Sequence, residues 1–67
     1  MLVKFTNSVE QLKGMPLYIN PDHIISVYEA PTDGGSLVTT IYGIRGENWF
    51  IEEGLLEAVT RINGVKM

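Results

Sequence analysis

Only a few side chains in this 67-residue sequence could move a proton, attack a carbon or hold a metal ion. His23 is the one group whose ordinary pKa lies near neutrality. It ends the stretch Asn20-Pro21-Asp22-His23, directly after Asp22, and adjacent residues in a turn seldom aim at each other. Ser26 and the threonines at 32, 39, 40 and 60 offer hydroxyls, at spacings that match no nucleophile–base arrangement. Glu52 and Glu53 form a carboxylate pair of the type glycosidases and metal sites use. They are consecutive, however, and precede a helical pattern, where the helix dipole favours negative charge. Asp33-Gly34-Gly35 looks like a fragment of a phosphate-binding loop, but it lacks the Lys and the following helix such loops need. Trp49-Phe50 could stack on nucleic-acid bases, yet no basic residue stands beside it, and packing on two sides of a sheet accounts for the pair. With no Cys and a single His, neither a disulfide nor a structural zinc site is expected. No catalytic, metal-binding or cofactor-binding residue emerges, and the expectation is a protein that is not an enzyme.

The elements that would position any surface must come from a small core. A chain of this size forms one domain, residues 1–67, and gains roughly 3–5 kcal/mol from its core unless something adds to it. Disulfides and metals being excluded, association with other chains is the remaining source. A 45% hydrophobic content is that of a globular protein. Eight acidic residues against five scattered basic ones give a net charge of −3. Nucleic acids and anionic membranes are bound by clustered Lys and Arg, so neither is an expected partner. No apolar run reaches 18 residues, and Lys4, Asn7 and Glu10 interrupt the N-terminus, so neither a membrane span nor a signal peptide is predicted and a cytoplasmic location is expected.

The pattern predicts an α+β fold, mostly β: an antiparallel meander of four or five strands with one short C-terminal helix. Residues 2–5 alternate as a strand does. The polar segment after them contains Gly14, and Ser8 could cap a single helical turn there or simply sit in a loop. Residues 16–19 read as a second strand. Asn20-Pro21-Asp22-His23 is a turn, because Asn and Asp bond back to nearby backbone and Pro presets φ. Residues 24–30 leave it as a strand. Pro31 to Gly35 forms a hairpin loop, 36–44 is a β-branched strand, Arg45-Gly46 turns tightly, and 47–52 returns antiparallel. From Gly54 the period changes: Ile51, Leu55, Val59 and Ile62 recur at helical spacing, and Asn63-Gly64 is expected to close a helix of about nine residues.

The strands are apolar on both faces. Val38 and Tyr42 point one way, Leu37 and Ile41 the other; Trp49 and Ile51 oppose Phe50; Ile25 and Val27 are expected to oppose Ile24 and Tyr28. A helix about 14 Å long covers only part of one face. The second face calls for the sheet to roll into a small barrel or for a second subunit, and a homo-oligomer, with a dimer favoured, is expected. Tyr18, Tyr28 and Tyr42 could otherwise lie singly exposed. The candidate interaction residues are Tyr18, Tyr28 and Tyr42, with Arg45 at a turn tip where an anion could meet it. Residues 36–44 carry too few charges to be an edge and must be paired on both sides; the exposed edges are expected at residues 2–5 or 16–20, guarded by Lys4 and Pro16. The function expected from these surfaces is protein–protein contact with an unidentified partner. The alternative is a cleft between subunits, lined by the tyrosines, that binds a small ligand or a peptide.

The order Ile19-Asn20, Ile24, Thr40-Ile41, Gly46, Trp49 to Glu53, then Val59 and Ile62 resembles the FlbD-type small flagellar protein family across residues 17–62. The loop from Pro31 to Ser36 is longer than in that family, the segment from Thr6 to Met15 is additional, and Arg45 stands where an Asn precedes the turn Gly. Similar short sequences occur outside flagellar systems, phages included. The resemblance therefore implies a small accessory protein without enzyme activity, rather than a specifically flagellar one.

Overall fold

Val3 and Phe5 alternate with Lys4, and the first strand turns the two apolar side chains into the core while Lys4 stays exposed. The computed structural model describes residues 1–66. Strand β1 (Val3–Thr6) is followed by a 3-10 turn at Glu10–Leu12 and by β2 (Pro16–Ile19). A second 3-10 turn at Pro21–His23 leads into β3 (Ile24–Pro31), β4 (Leu37–Gly43), β5 (Asn48–Ile51) and the helix α1 (Leu55–Lys66). The fold is α+β, mostly β, as the sequence predicts.

Two antiparallel sheets result, β1-β2 and β3-β4-β5. A single bridge, Asn7 with Ile51, joins them, supported by hydrogen bonds from Ser8 N to Phe50 O and from Glu52 N to Thr6 O, both 2.9 Å. No ladder joins β2 to β3, so the strands do not close into a barrel. The turn chemistry follows the sequence. Asn20 Oδ1 accepts from Asp22 N at 3.0 Å, and Gly35 and Gly46 take the positive φ values, 84° and 86°, that their hairpins require. The first 3-10 turn forms without a side-chain cap, so Ser8 does not serve as one.

Three expectations change. First, β3 carries a bulge between Ile24 and Ser26, and the extra residue returns both Ile24 and Val27 to the core side, leaving Ile25 out. Strict alternation sets Ile24 and Val27 on opposite faces. Second, α1 continues through Asn63-Gly64, because Gly64 keeps a right-handed conformation instead of the left-handed one that would close the helix. Its 12 residues span about 18 Å at 1.5 Å per residue. Third, the helix buries Ala58 and Ile62, with Leu55 half-buried on the same stripe, while Val59 is exposed. The small Ala58, fully buried, lets the helix approach the sheets closely, and it turns Val59 outward. The core gathers Val3, Phe5, Ile19, Ile41, Ile51, Ala58 and Ile62, with Leu17, Ile24, Val27 and Trp49 against it.

Candidate protein-interaction surface

The register of β3, β4 and β5 decides which side chains share the face away from the core. Tyr28 lies opposite Thr40, which lies opposite Phe50; Ser26, Tyr42 and Asn48 form the next row, and Ala30 faces Val38. Because alternate residues share a face, Tyr28, Val38, Thr40, Tyr42 and Phe50 all point outward. Tyr28, Tyr42 and Phe50 are 42%, 36% and 37% exposed. Thr40, at their centre, is only 1% exposed, and its hydroxyl donates to Val38 O at 3.3 Å. Three aromatic rings and Val38 thus surround a covered threonine, which leaves an aromatic patch on the outer face, flanked by the polar Ser26 and Asn48.

Of the residues singled out in the sequence, Tyr28 and Tyr42 come together here as diagonal neighbours. Tyr18 is 56% exposed but belongs to the other sheet, across from Lys4, with β1 and β5 between its strand and β4. Arg45 sits at the tip of the β4–β5 hairpin, where its N–H donates to Glu47 Oε1 at 2.9 Å; among the described residues its side chain makes no ion pair. Phe50, which the sequence pattern assigns to core packing, completes the aromatic face. The tight turn at Gly46 fixes which residues of β4 and β5 pair, and counting outward from that turn would have placed Phe50 beside Thr40, one row from Tyr42. Next to Phe50 the face opens into a groove of about 510 Å³ lined by Val9, Leu37, Val38 and Phe50 together with polar residues that include Thr32 and Glu52.

Glu53, Glu57 and Arg61 form one network with β1. Glu53, whose side chain is 10% exposed, accepts from Thr6 N at 3.0 Å and from Thr6 Oγ1 at 2.9 Å. Arg61 Nη1 reaches the same carboxylate at 3.3 Å and the Lys4 carbonyl at 2.8 Å, Arg61 Nη2 pairs with Glu57, and the guanidinium lies 5.9 Å from the centre of the Phe5 ring. Burial pushes the Glu53 carboxyl up, but the Thr6 hydrogen bonds and the Arg61 charge outweigh it, so the group is held below its ordinary value of 4.5. Glu53 is thus a tie between α1 and β1. His23 lies exposed at the end of its turn, and Ser26 lies on the outer face of β3. Asp33-Gly34-Gly35 is the tip of the β3–β4 hairpin. Among the described residues no three His, Asp or Glu side chains gather in one place, and no helix is long and apolar enough to cross a membrane.

No protein-family model, curated protein or solved structure matches the chain.

Proposed function

We propose that this chain is a non-enzymatic accessory protein that works as a homo-oligomer and docks on another protein through the outer face of β3-β4-β5. The observation that carries this reading is the exposed group Tyr28, Tyr42 and Phe50 around the buried Thr40. Aromatic side chains of this kind are the usual anchors of protein interfaces, because they bring large apolar area at little entropic cost. The acidic balance and the scattered basic residues favour a protein partner over nucleic acid or an anionic membrane. The resemblance to the FlbD-type family runs the same way. A second reading, binding of a peptide, is favoured by the groove beside Phe50, whose mixed apolar and polar lining suits an extended chain.

The test is capture from extracts of the cells that make the protein, with three baits: the natural chain, Tyr42→Asp, and Tyr18→Asp. A partner held by the natural chain and by Tyr18→Asp, and lost with Tyr42→Asp, supports the outer face. Equal retention by all three baits contradicts it, as does a reproducible catalytic turnover with no partner captured.

A further inference from the structure

Among the described residues the two free sheet edges are β2, as the sequence predicts, and β3, which the sequence pattern does not single out; β1 is instead enclosed between β2 and the bridge to β5. The hydrogen-bond pattern shows what the β3 edge offers. Thr32 N donates to Ser36 O at 2.7 Å, which continues the β3–β4 register one step beyond Pro31 and Leu37. Hydrogen-bonded pairs alternate along an antiparallel ladder, so Ala30 with Val38 and Tyr28 with Thr40 carry the bonds to β4. The bond from Gly43 N to Glu47 O, 2.9 Å, sets the same parity from the other side of β4, whose odd-numbered residues bond to β5. The N–H and C=O groups of Val27 and Glu29 therefore point away from β4. No hydrogen bond within the chain reaches them among the described residues.

We propose that this edge pairs antiparallel with the same edge of a second copy, about a two-fold axis at Tyr28. The inference deepens the homo-oligomer part of the reading above and rests on it. Only outward-pointing groups can bond across the new seam, so Val27 of one copy meets Glu29 of the other and the reverse, giving four hydrogen bonds. Shifting the axis to Glu29 would set two like charges directly opposite each other. Shifting it to Val27 would bring the bulged Ile25 into the ladder. The Tyr28 register avoids both. It places the two Tyr28 rings at a non-hydrogen-bonded pair, where facing side chains come closest.

Charge and surface agree with this occupant. Glu29 is the only charged residue from Ile24 to Pro31, and the bulge and Pro31 guard only the two ends of the strand, so its centre from Val27 to Glu29 carries little of the protection that keeps strands apart. Ile25, 59% exposed, and Val59 line an apolar groove beside the start of β3, adjoining the seam. The outer faces of the two copies then become one, with a row of four tyrosines, Tyr42 and Tyr28 from each.

Sedimentation equilibrium of the full chain tests this, with three variants. Glu29→Pro removes an outward N–H and leaves the β4 ladder intact. Tyr28→Lys and Tyr28→Glu each set like charges across the axis, and mixing the two sets opposite charges there. Expected are a mass about twice the 7.5 kDa chain for the natural protein, at least tenfold weaker association for each variant alone, and recovery on mixing the Lys and Glu forms. Should Glu29→Pro lose its β circular dichroism, the Tyr28 pair decides. A natural chain that stays monomeric at high micromolar concentration overturns both the inference and the homo-oligomer reading. A dimer that persists undiminished in Glu29→Pro, or Tyr28 forms that do not recover on mixing, overturns the β3 seam and leaves the oligomer standing.

Discussion

Replacing Glu53 by Ala removes the carboxylate that joins the start of α1 to β1. The loss has two parts. The half-buried Thr6 loses the acceptors of its N–H and its hydroxyl, at 3.0 and 2.9 Å, and hydrogen bonds to a charged group are worth about 1.5–3 kcal/mol. The ion pair with Arg61 adds little, because the guanidinium is 38% exposed and such pairs contribute about 0.2–1 kcal/mol. Arg61 keeps its bond to the Lys4 carbonyl and its pair with Glu57. Because Thr6 is only half-buried, water takes over part of both bonds, and the expected total cost is about 2–3 kcal/mol, a large share of the roughly 3–5 kcal/mol such a small core supplies. In a domain this size it lowers the melting temperature by about 10–20 °C. Glu53→Gln keeps one acceptor for Thr6 N and is expected to lose about half as much. The pH dependence supplies an independent check. The folded pKa lies below the ordinary 4.5, so this contribution is fully present above about 4.5 and is lost as the pH falls through the folded value. Urea melts of the natural chain and both variants from pH 7 to 3 measure it: the variants should lose less stability on acidification than the natural chain does. A Glu53→Ala melt within about 0.5 kcal/mol of the natural one, with the same acid slope, would refute the argument.

Gly43→Ala would place a Cβ 2.7 Å from Glu47 Oε1 and 2.8 Å from two Trp49 ring carbons, so the indole must move at a cost of about 1–3 kcal/mol; a red-shifted tryptophan emission is the readout, and an unchanged spectrum at unchanged stability contradicts it. Gly46→Ala keeps open space around its Cβ but holds φ at 86°, so about 1–2 kcal/mol should be lost with tryptophan emission unaltered. Phe5→Ala empties a fully buried site and removes the ring under Arg61, and a cost of about 3–5 kcal/mol should leave the chain largely unfolded at 25 °C by circular dichroism.

The sequence is a good guide wherever one residue type has one local use. The turn at Asn20, the glycines at 35 and 46, and the exclusion of β4 from the edges all come from side-chain chemistry or composition alone. It is a poor guide where a single inserted residue shifts the alternation of a whole strand. The β3 bulge at Ile25 is such a case, because alternation then assigns Ile24 to the wrong face. The helix illustrates a second limit: Leu55, Val59 and Ile62 and Leu55, Ala58 and Ile62 are both helical stripes, and the close approach that selects Ala58 is a tertiary fact. The proposed contact surface is half legible. Tyr28 and Tyr42 stand out by type, but their adjacency to Phe50 and the separation of Tyr18 depend on strand pairing. The Glu53–Thr6 tie spans 47 residues and left no local pattern to read.

The claim that the outer sheet face is the contact surface is tested most directly by photo-crosslinking in the cells that make the protein. A benzoyl-phenylalanine at position 50 reports on that face, and one at position 18 reports on the other sheet. A discrete adduct with a second protein from position 50, absent from position 18, is the expected result. No adduct from position 50, or the same adducts from both positions, would contradict the account.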